Sequence, residues 1–206
     1  MIYEIRTYNL RTGNLEEYWK RFGEKIPERA KRSQIGGHWY TEAGPLNQMI
    51  AIWLYDDIEQ RASIRKEVES GPNPIWPPDT SSLIVSMTSE IFFPAPFMTP
   101  FTERKLGPLY ELRLYTYQQE LIPGVLEAWG QSIAERETLS PLVGCWYKES
   151  GGQGNFAHMW AYSSFEERTR IREQSRATGK WPPKGPALPD RMENKLLYAA
   201  PFSPMQ

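Results

Sequence analysis

The chain has little of what would narrow its chemistry quickly. It holds one cysteine, Cys145. A single thiol builds no internal disulfide framework and fits a reducing compartment. Lys and Arg (24) nearly cancel Asp and Glu (25). With no basic excess, the charge balance argues against nucleic acid as a partner. No apolar run approaches the roughly 20 residues that span a bilayer, so no membrane insertion is expected. The chain starts directly on a strand-like run, Met1-Ile2-Tyr3-Glu4-Ile5, with no charged leader or Arg-rich presequence, and a cytoplasmic location is the expectation. A Gly-rich phosphate loop, a nucleophile elbow and a His-Glu-x-x-His pair are all missing.

What the chain does have is an internal repeat. Shifted by 107 positions, Tyr3-Glu4-x-Arg6-x-Tyr8 falls on Tyr110-Glu111-x-Arg113-x-Tyr115. Without a gap, Gly37-x-Trp39-Tyr40-x-Glu42-x-Gly44 falls on Gly144-x-Trp146-Tyr147-x-Glu149-x-Gly151. Trp53-x-Tyr55 then falls on Trp160-x-Tyr162. The 63 positions from Tyr3 to Arg65 hold 20 identities with their counterparts. A two-residue deletion brings Trp76-Pro77-Pro78 onto Trp181-Pro182-Pro183. A period this long exceeds a solenoid unit and is long enough for a small domain. Residues 1–97 and 109–206 are read as two copies of one domain, with 98–108 as a linker rich in Pro and Gly.

Each copy reads β-α-β-β-α-β. Ile2–Leu10 alternates as a strand. Leu15, Tyr18, Phe22 and Ile26 recur at helical spacing, and Pro27 should kink or shorten that helix. Ile35–Ala43 and Gln48–Tyr55 form a hairpin about a Gly-Pro turn. Asp57 with Gln60, and Ser164 with Glu167, are capping-box patterns that open a second helix. A last strand covers 83–93. This is the ferredoxin-like arrangement, an α+β fold with an antiparallel sheet. Both helices are expected on the Tyr3/Ile5 face. Glu4, Arg6 and Tyr8 would then line the other face, and two such faces would cover each other in an intramolecular barrel.

Together, the Tyr-Glu-x-Arg-x-Tyr start, the Gly-x-Trp-x-x-Glu-x-Gly hairpin, Asn47-Gln48, Trp53-x-Tyr55-Asp56 and the Pro-Phe-Ser-Pro ending at 201–204 resemble the NIPSNAP family, in which tandem domains are typical. The resemblance implies the dimeric α+β barrel superfamily, which includes cofactor-free monooxygenases, haem-handling enzymes and small isomerases. It delivers no reaction, because the family has no settled catalytic activity. It also implies pairing, so a homodimer is expected, helped by Trp19, Phe22 and Trp129 if these overflow what the helices bury.

Several residues are candidates for chemistry. Arg6 and Arg113, oriented by Glu4 and Glu111, would hold an anionic group; the bland reading is a structural ion-pair network. Tyr8, Tyr115, Trp53 and Trp160 would line a ligand site, though Trp and Tyr more often simply fill a core. Glu42 and Glu149, with Tyr40 and Tyr147, are the acid–base candidates. The helix arginines Arg61, Arg65, Arg168 and Arg172 read as a solvated stripe. His38 and His158 are not repeated, and two unrelated histidines and one cysteine do not make a zinc set. No metal and no cofactor is expected. The reading is a protein binding a small apolar, aromatic or anionic ligand in a barrel pocket, with cofactor-free acid–base or oxygen chemistry in view. The alternative is a non-enzymatic scaffold with a filled barrel.

Overall fold

Alternation in the first strand and a helical period in the next segment set the pattern twice over. The computed structural model describes residues 1–148 and 153–206. The first copy runs β1 (Ile2–Leu10), α1 (Leu15–Ala30), β2 (Ile35–Ala43), β3 (Gln48–Tyr55), α2 (Ile58–Glu69) and β4 (Ile84–Pro94). The second runs β5 (Leu109–Gln118), α3 (Ile122–Glu137), β6 (Leu142–Lys148), β7 (Gln153–Tyr162), α4 (Phe165–Ala177) and β8 (Arg191–Ala199). Both capping boxes close. Asp57 accepts from the Gln60 amide at 2.7 Å, and Ser164 from the Glu167 amide at 3.1 Å. Pro27 does not shorten α1, which has 16 residues, as does α3.

All eight strands join one closed barrel in the order β1-β3-β2-β8-β5-β7-β6-β4. The pairings are antiparallel throughout. Two seams join the copies, β2 to β8 and β4 to β6. The barrel therefore closes within one chain.

The faces are the reverse of the sequence expectation. Tyr3 and Ile5 point into the barrel, where they pack with Trp39, Tyr110, Leu112 and Trp146 from both copies. Tyr8 belongs to the separate cluster under α1, with Tyr18, Phe22 and Trp53. Alternation separates two faces but cannot say which meets the helices when both are buried. The barrel interior is packed with side chains from both copies, so it takes the apolar set. The helices bring arginines, so the charged set turns toward them.

The interior is solid. Trp39 and Trp146 are fully buried, and Phe101, from the segment between the copies, packs against Tyr3 and Trp146 at 6.0 and 5.9 Å. The repeated Gly-x-Trp motif has a steric cause. A Cβ on Gly37 would sit 2.3 Å from the Trp39 ring, and one on Gly144 2.1 Å from the Trp146 ring. Each indole folds back over the glycine two residues earlier, where only a hydrogen leaves room.

Of the three side chains expected to overflow, Phe22 and Trp129 are buried, Phe22 partly against Phe202 of the other copy, and Trp19 is half-buried against Tyr40. No helix among the described residues is long and apolar enough to cross a membrane.

Candidate functional site

Between each sheet and its helices sits a buried carboxylate ringed by arginines. Glu4 and Glu111 have no exposed surface. Glu4 meets Arg6 at 2.9 Å, Arg61 at 2.6 Å and Arg65 at 3.9 Å. Glu111 meets Arg113 at 2.8 Å, Arg168 at 2.6 Å and Arg172 at 3.6 Å. The fourth strand adds Ser89 in one copy and Asn194 in the other. Two expectations change here. Arg6 and Arg113 are not inside the barrel, and the helix arginines are not a solvated stripe. Strand spacing put Glu and Arg on one face correctly; the side of the sheet was wrong.

Burial pushes the Glu4 carboxyl up, but the bonds from Arg61 and Arg6 outweigh it and bring it down to about 2. Glu111 is lowered in the same way: burial works against it, while Arg168, Arg113 and Arg172 prevail. Both carboxylates are therefore ionised and committed to their arginines.

A second repeated arginine escaped the sequence reading. Arg29 on α1 lies 4.4 Å over the Trp53 ring and donates to the Tyr55 hydroxyl at 2.8 Å. Arg136 on α3 lies 4.1 Å over Trp160 and donates to Tyr162 at 3.3 Å. Ser33 and Ser140 accept from the same guanidiniums. No salt bridge joins either arginine to a carboxylate among the described residues. The signal was present: Arg29, Ser33, Trp53 and Tyr55 all recur 107 positions on.

The two copies then diverge. The second holds a cavity of about 630 Å3 between sheet, helices and the Trp-Pro-Pro loop. Its floor is Arg113, Tyr115, His158 and Trp160; α3 gives Val125, Trp129 and Arg136; α4 gives Arg172 and Arg176; the loop gives Trp181 and Lys184. Five lining residues are cationic, and among the described residues none of the lining is acidic. In the first copy the equivalent space is filled. Tyr18 stands where the second copy has Val125, and it stacks on Phe22 at 4.6 Å. Phe22 meets Trp76 at 4.7 Å. Leu83 is 7 % exposed in that cluster, whereas its counterpart Leu188 is 88 % exposed. The rim changes sign as well: Arg176 and Lys184 align with Glu69 and Asp79.

The same two-copy pattern is found in comparisons with known proteins. The NIPSNAP family model matches residues 3–99 and again 110–204. The chain belongs to the NIPSNAP family. A NipSnap homolog of Dictyostelium discoideum is 32% identical over 207 residues, covering 95% of this chain and 86% of that one. NipSnap homolog 3A of Homo sapiens is 26% identical over 223 residues, covering 100% of this chain and 86% of that one. A solved structure from Fusobacterium nucleatum, provisionally named a monooxygenase, superposes with a TM-score of 0.59, covering 97% of this chain and 92% of that one. At 6% identity that likeness concerns the fold alone.

In this NIPSNAP chain Glu42, Tyr40 and Tyr147 are not among the residues that line the cavity. Glu42 is exposed near the end of β2. Tyr40 packs on Trp19 and Tyr198, and burial raises its hydroxyl pKa. Tyr147 lies against Phe93 at the β4–β6 seam. Glu149 lies outside the described residues. Trp53 and Tyr8 are buried in the filled first copy, while Trp160 and Tyr115 line the open second one. Among the described residues no cluster of three or more His, Cys, Asp or Glu is placed to hold a metal.

Histidine placement also breaks the repeat. His158 pairs across the β6–β7 ladder with Cys145, where the first copy pairs Ala51 with His38. Trp160 Nε1 donates to His158 Nδ1 at 2.8 Å. Burial and three nearby arginines hold the His158 pKa well below its usual value. The ring is neutral, Nδ1 is an acceptor, and the proton sits on Nε2. His38 is buried among Phe22, Trp53 and Phe202, its pKa pushed down to about 3 by burial.

Proposed function

We propose that this NIPSNAP protein binds a small organic anion in the helix–sheet cavity of its second copy, and that the first copy is the filled, structural half. The observation that carries this reading is the cavity itself: about 630 Å3, walled by Trp and Tyr, lined by five cations and by no carboxylate among the described residues. Its size falls within the range of small-molecule sites. Indole and phenol rings suit a flat apolar body, and unpaired guanidiniums suit a carboxylate or similar head. Arg113 and Arg172 share Glu111, whereas Arg136 makes no salt bridge among the described residues: it donates to Ser140 and Tyr162, both neutral, and its charge is left for a ligand to meet. Burial lowers the Arg136 pKa, and an anion beside it would reverse that cost.

The reading is one of binding. Among the described residues the acid–base groups at the cavity wall are tyrosine hydroxyls, a neutral His158 and, at the rim, Lys184. Burial pushes the Tyr117 hydroxyl up to about 12, far from the range of a base at neutral pH. The scaffold alternative draws support from the solid barrel interior. It leaves unexplained why one copy is plugged and the other open.

A thermal-shift screen of small carboxylates tests the proposal. Aromatic carboxylates should raise the melting temperature, and the matching neutral amides should not. Equal effects of acids and amides would count against an anion site. The homodimer rests on outer surfaces, since the barrel is complete in one chain; light scattering giving twice 23.9 kDa supports it. The buried, free Cys145 is in keeping with a reducing, cytoplasmic setting.

A further inference from the structure

α4 carries a ladder of three arginines, Arg168, Arg172 and Arg176, at four-residue spacing, so all three share one side of the helix. The first two reach Glu111, at 2.6 and 3.6 Å. The third is exposed, lines the cavity and makes no salt bridge among the described residues. One turn of helix, about 6 Å along its axis, separates it from Arg172. Lys184, in the loop after Trp181, is also exposed, lines the cavity and has no carboxylate partner among the described residues.

The first copy neutralises the same two positions internally. Its ladder ends in Glu69, which takes Arg65 at 2.8 Å. Its loop carries Asp79, which meets Arg21 of α1 at 3.8 Å. The second copy has Arg176 and Lys184 at those positions, and Ala128 in place of Arg21. Two carboxylates are exchanged for two cations, and both internal pairs are gone. Like charges one turn apart on a helix repel, so Arg176 beside Arg172 is a destabilising neighbour that the first copy avoids. The exchange falls at the mouth of the space that the second copy holds open and the first fills. Deeper in, Arg136 is buried, with Trp160 at 4.1 Å and Trp181 at 5.8 Å. An acidic head seated at Arg136 leaves Arg176 and Lys184 facing water, where a second acidic group on the same molecule can meet them.

We propose that Arg176 and Lys184 form a second anion subsite at the mouth of the cavity, so that the ligand is an organic dianion with an apolar or aromatic body between two acidic groups. This rests on the anion-site reading above and narrows it. Arg136 takes the inner charge, the indoles of Trp129, Trp160 and Trp181 cover the body, and the mouth pair takes the outer charge. Arg176 and Lys184 discriminate a diacid from the same acid with a methyl group in place of its second carboxylate.

Matched pairs test this: suberate against octanoate, para-phenylenediacetate against para-tolylacetate, and terephthalate against para-toluate. Affinity is read by titration calorimetry on the intact chain at low salt. At least one diacid should bind about fivefold tighter than its methyl partner, as ion pairs to exposed cations allow. The readout is the ratio within a pair, taken in each protein. Arg176→Glu with Lys184→Asp installs the first copy's own residues, and the ratio should fall to one or below. Equal binding within every pair, tighter binding of the monoacid in every pair, or a diacid preference that survives in the double variant overturns the proposal and leaves the anion site standing. Binding of none of the six acids overturns both. Salt gives a second reading on the unaltered protein. Exposed charges are screened more than buried ones, so the diacid preference should shrink toward one as salt is raised. A preference indifferent to salt contradicts the mouth subsite even if the double variant fails to fold.

Discussion

Tyr18 on α1 and Val125 on α3 occupy equivalent helix positions, 107 residues apart, and Tyr18 fills the space that Val125 leaves open. Val125→Tyr should therefore plug the second cavity with the first copy's own side chain. The expected result is loss of ligand binding by more than tenfold with an unchanged or higher melting temperature. Tyr18→Val should cost about 2–4 kcal/mol in denaturant unfolding, because it opens a cavity in a packed aromatic cluster. If Val125→Tyr still binds, the ligand sits elsewhere.

Glu4 makes stability depend on acid. Its carboxyl is held at about 2 against an ordinary 4.5. A group lowered on folding stabilises fully above the unfolded value, and that contribution is lost as pH falls through the folded value. The window here is pH 4.5 down to about 2. The contribution at neutral pH is on the order of 3 kcal/mol. Urea unfolding across that window should show the fall, and Glu4→Gln should flatten it. A slope unchanged by Glu4→Gln would mean the carboxylate is solvated.

Much of the fold was legible because local rules agree with it. The repeat, the hairpins and the Asp57 and Ser164 caps each rest on chemistry within a few residues. The side of the sheet was not legible. Tyr3/Ile5 and Glu4/Arg6 are both buried sets, and only the partner elements decide which set meets helices. Those partners are Arg61 and Arg65, far away in sequence. The carboxylate nodes were half legible: Glu4 with Arg6, and Glu111 with Arg113, were paired from strand spacing, and the helix arginines that complete them were read as solvated. The cavity was not legible because it arises where the repeat differs, not where it is identical: Val125 for Tyr18, His158 for Ala51, Lys184 for Asp79.

The node around Glu4 is asymmetric in its tolerance. Arg6→Ala leaves Glu4 with Arg61 at 2.6 Å, and should cost about 1–3 kcal/mol. Glu4→Ala leaves Arg6 buried with no carboxylate, and should cost about 3–5 kcal/mol. Chemical denaturation of the two single variants gives the order. The reverse order would mean that Arg6 is satisfied without Glu4.

Mass spectrometry of what the native protein releases on denaturation tests the central claim most directly. Wild type and Val125→Tyr are purified side by side and their extracts compared. An organic anion released near one per chain from wild type, and missing from Val125→Tyr, is the predicted result. The same anion released equally by both, or none from either, would contradict a binding site in the second copy's cavity.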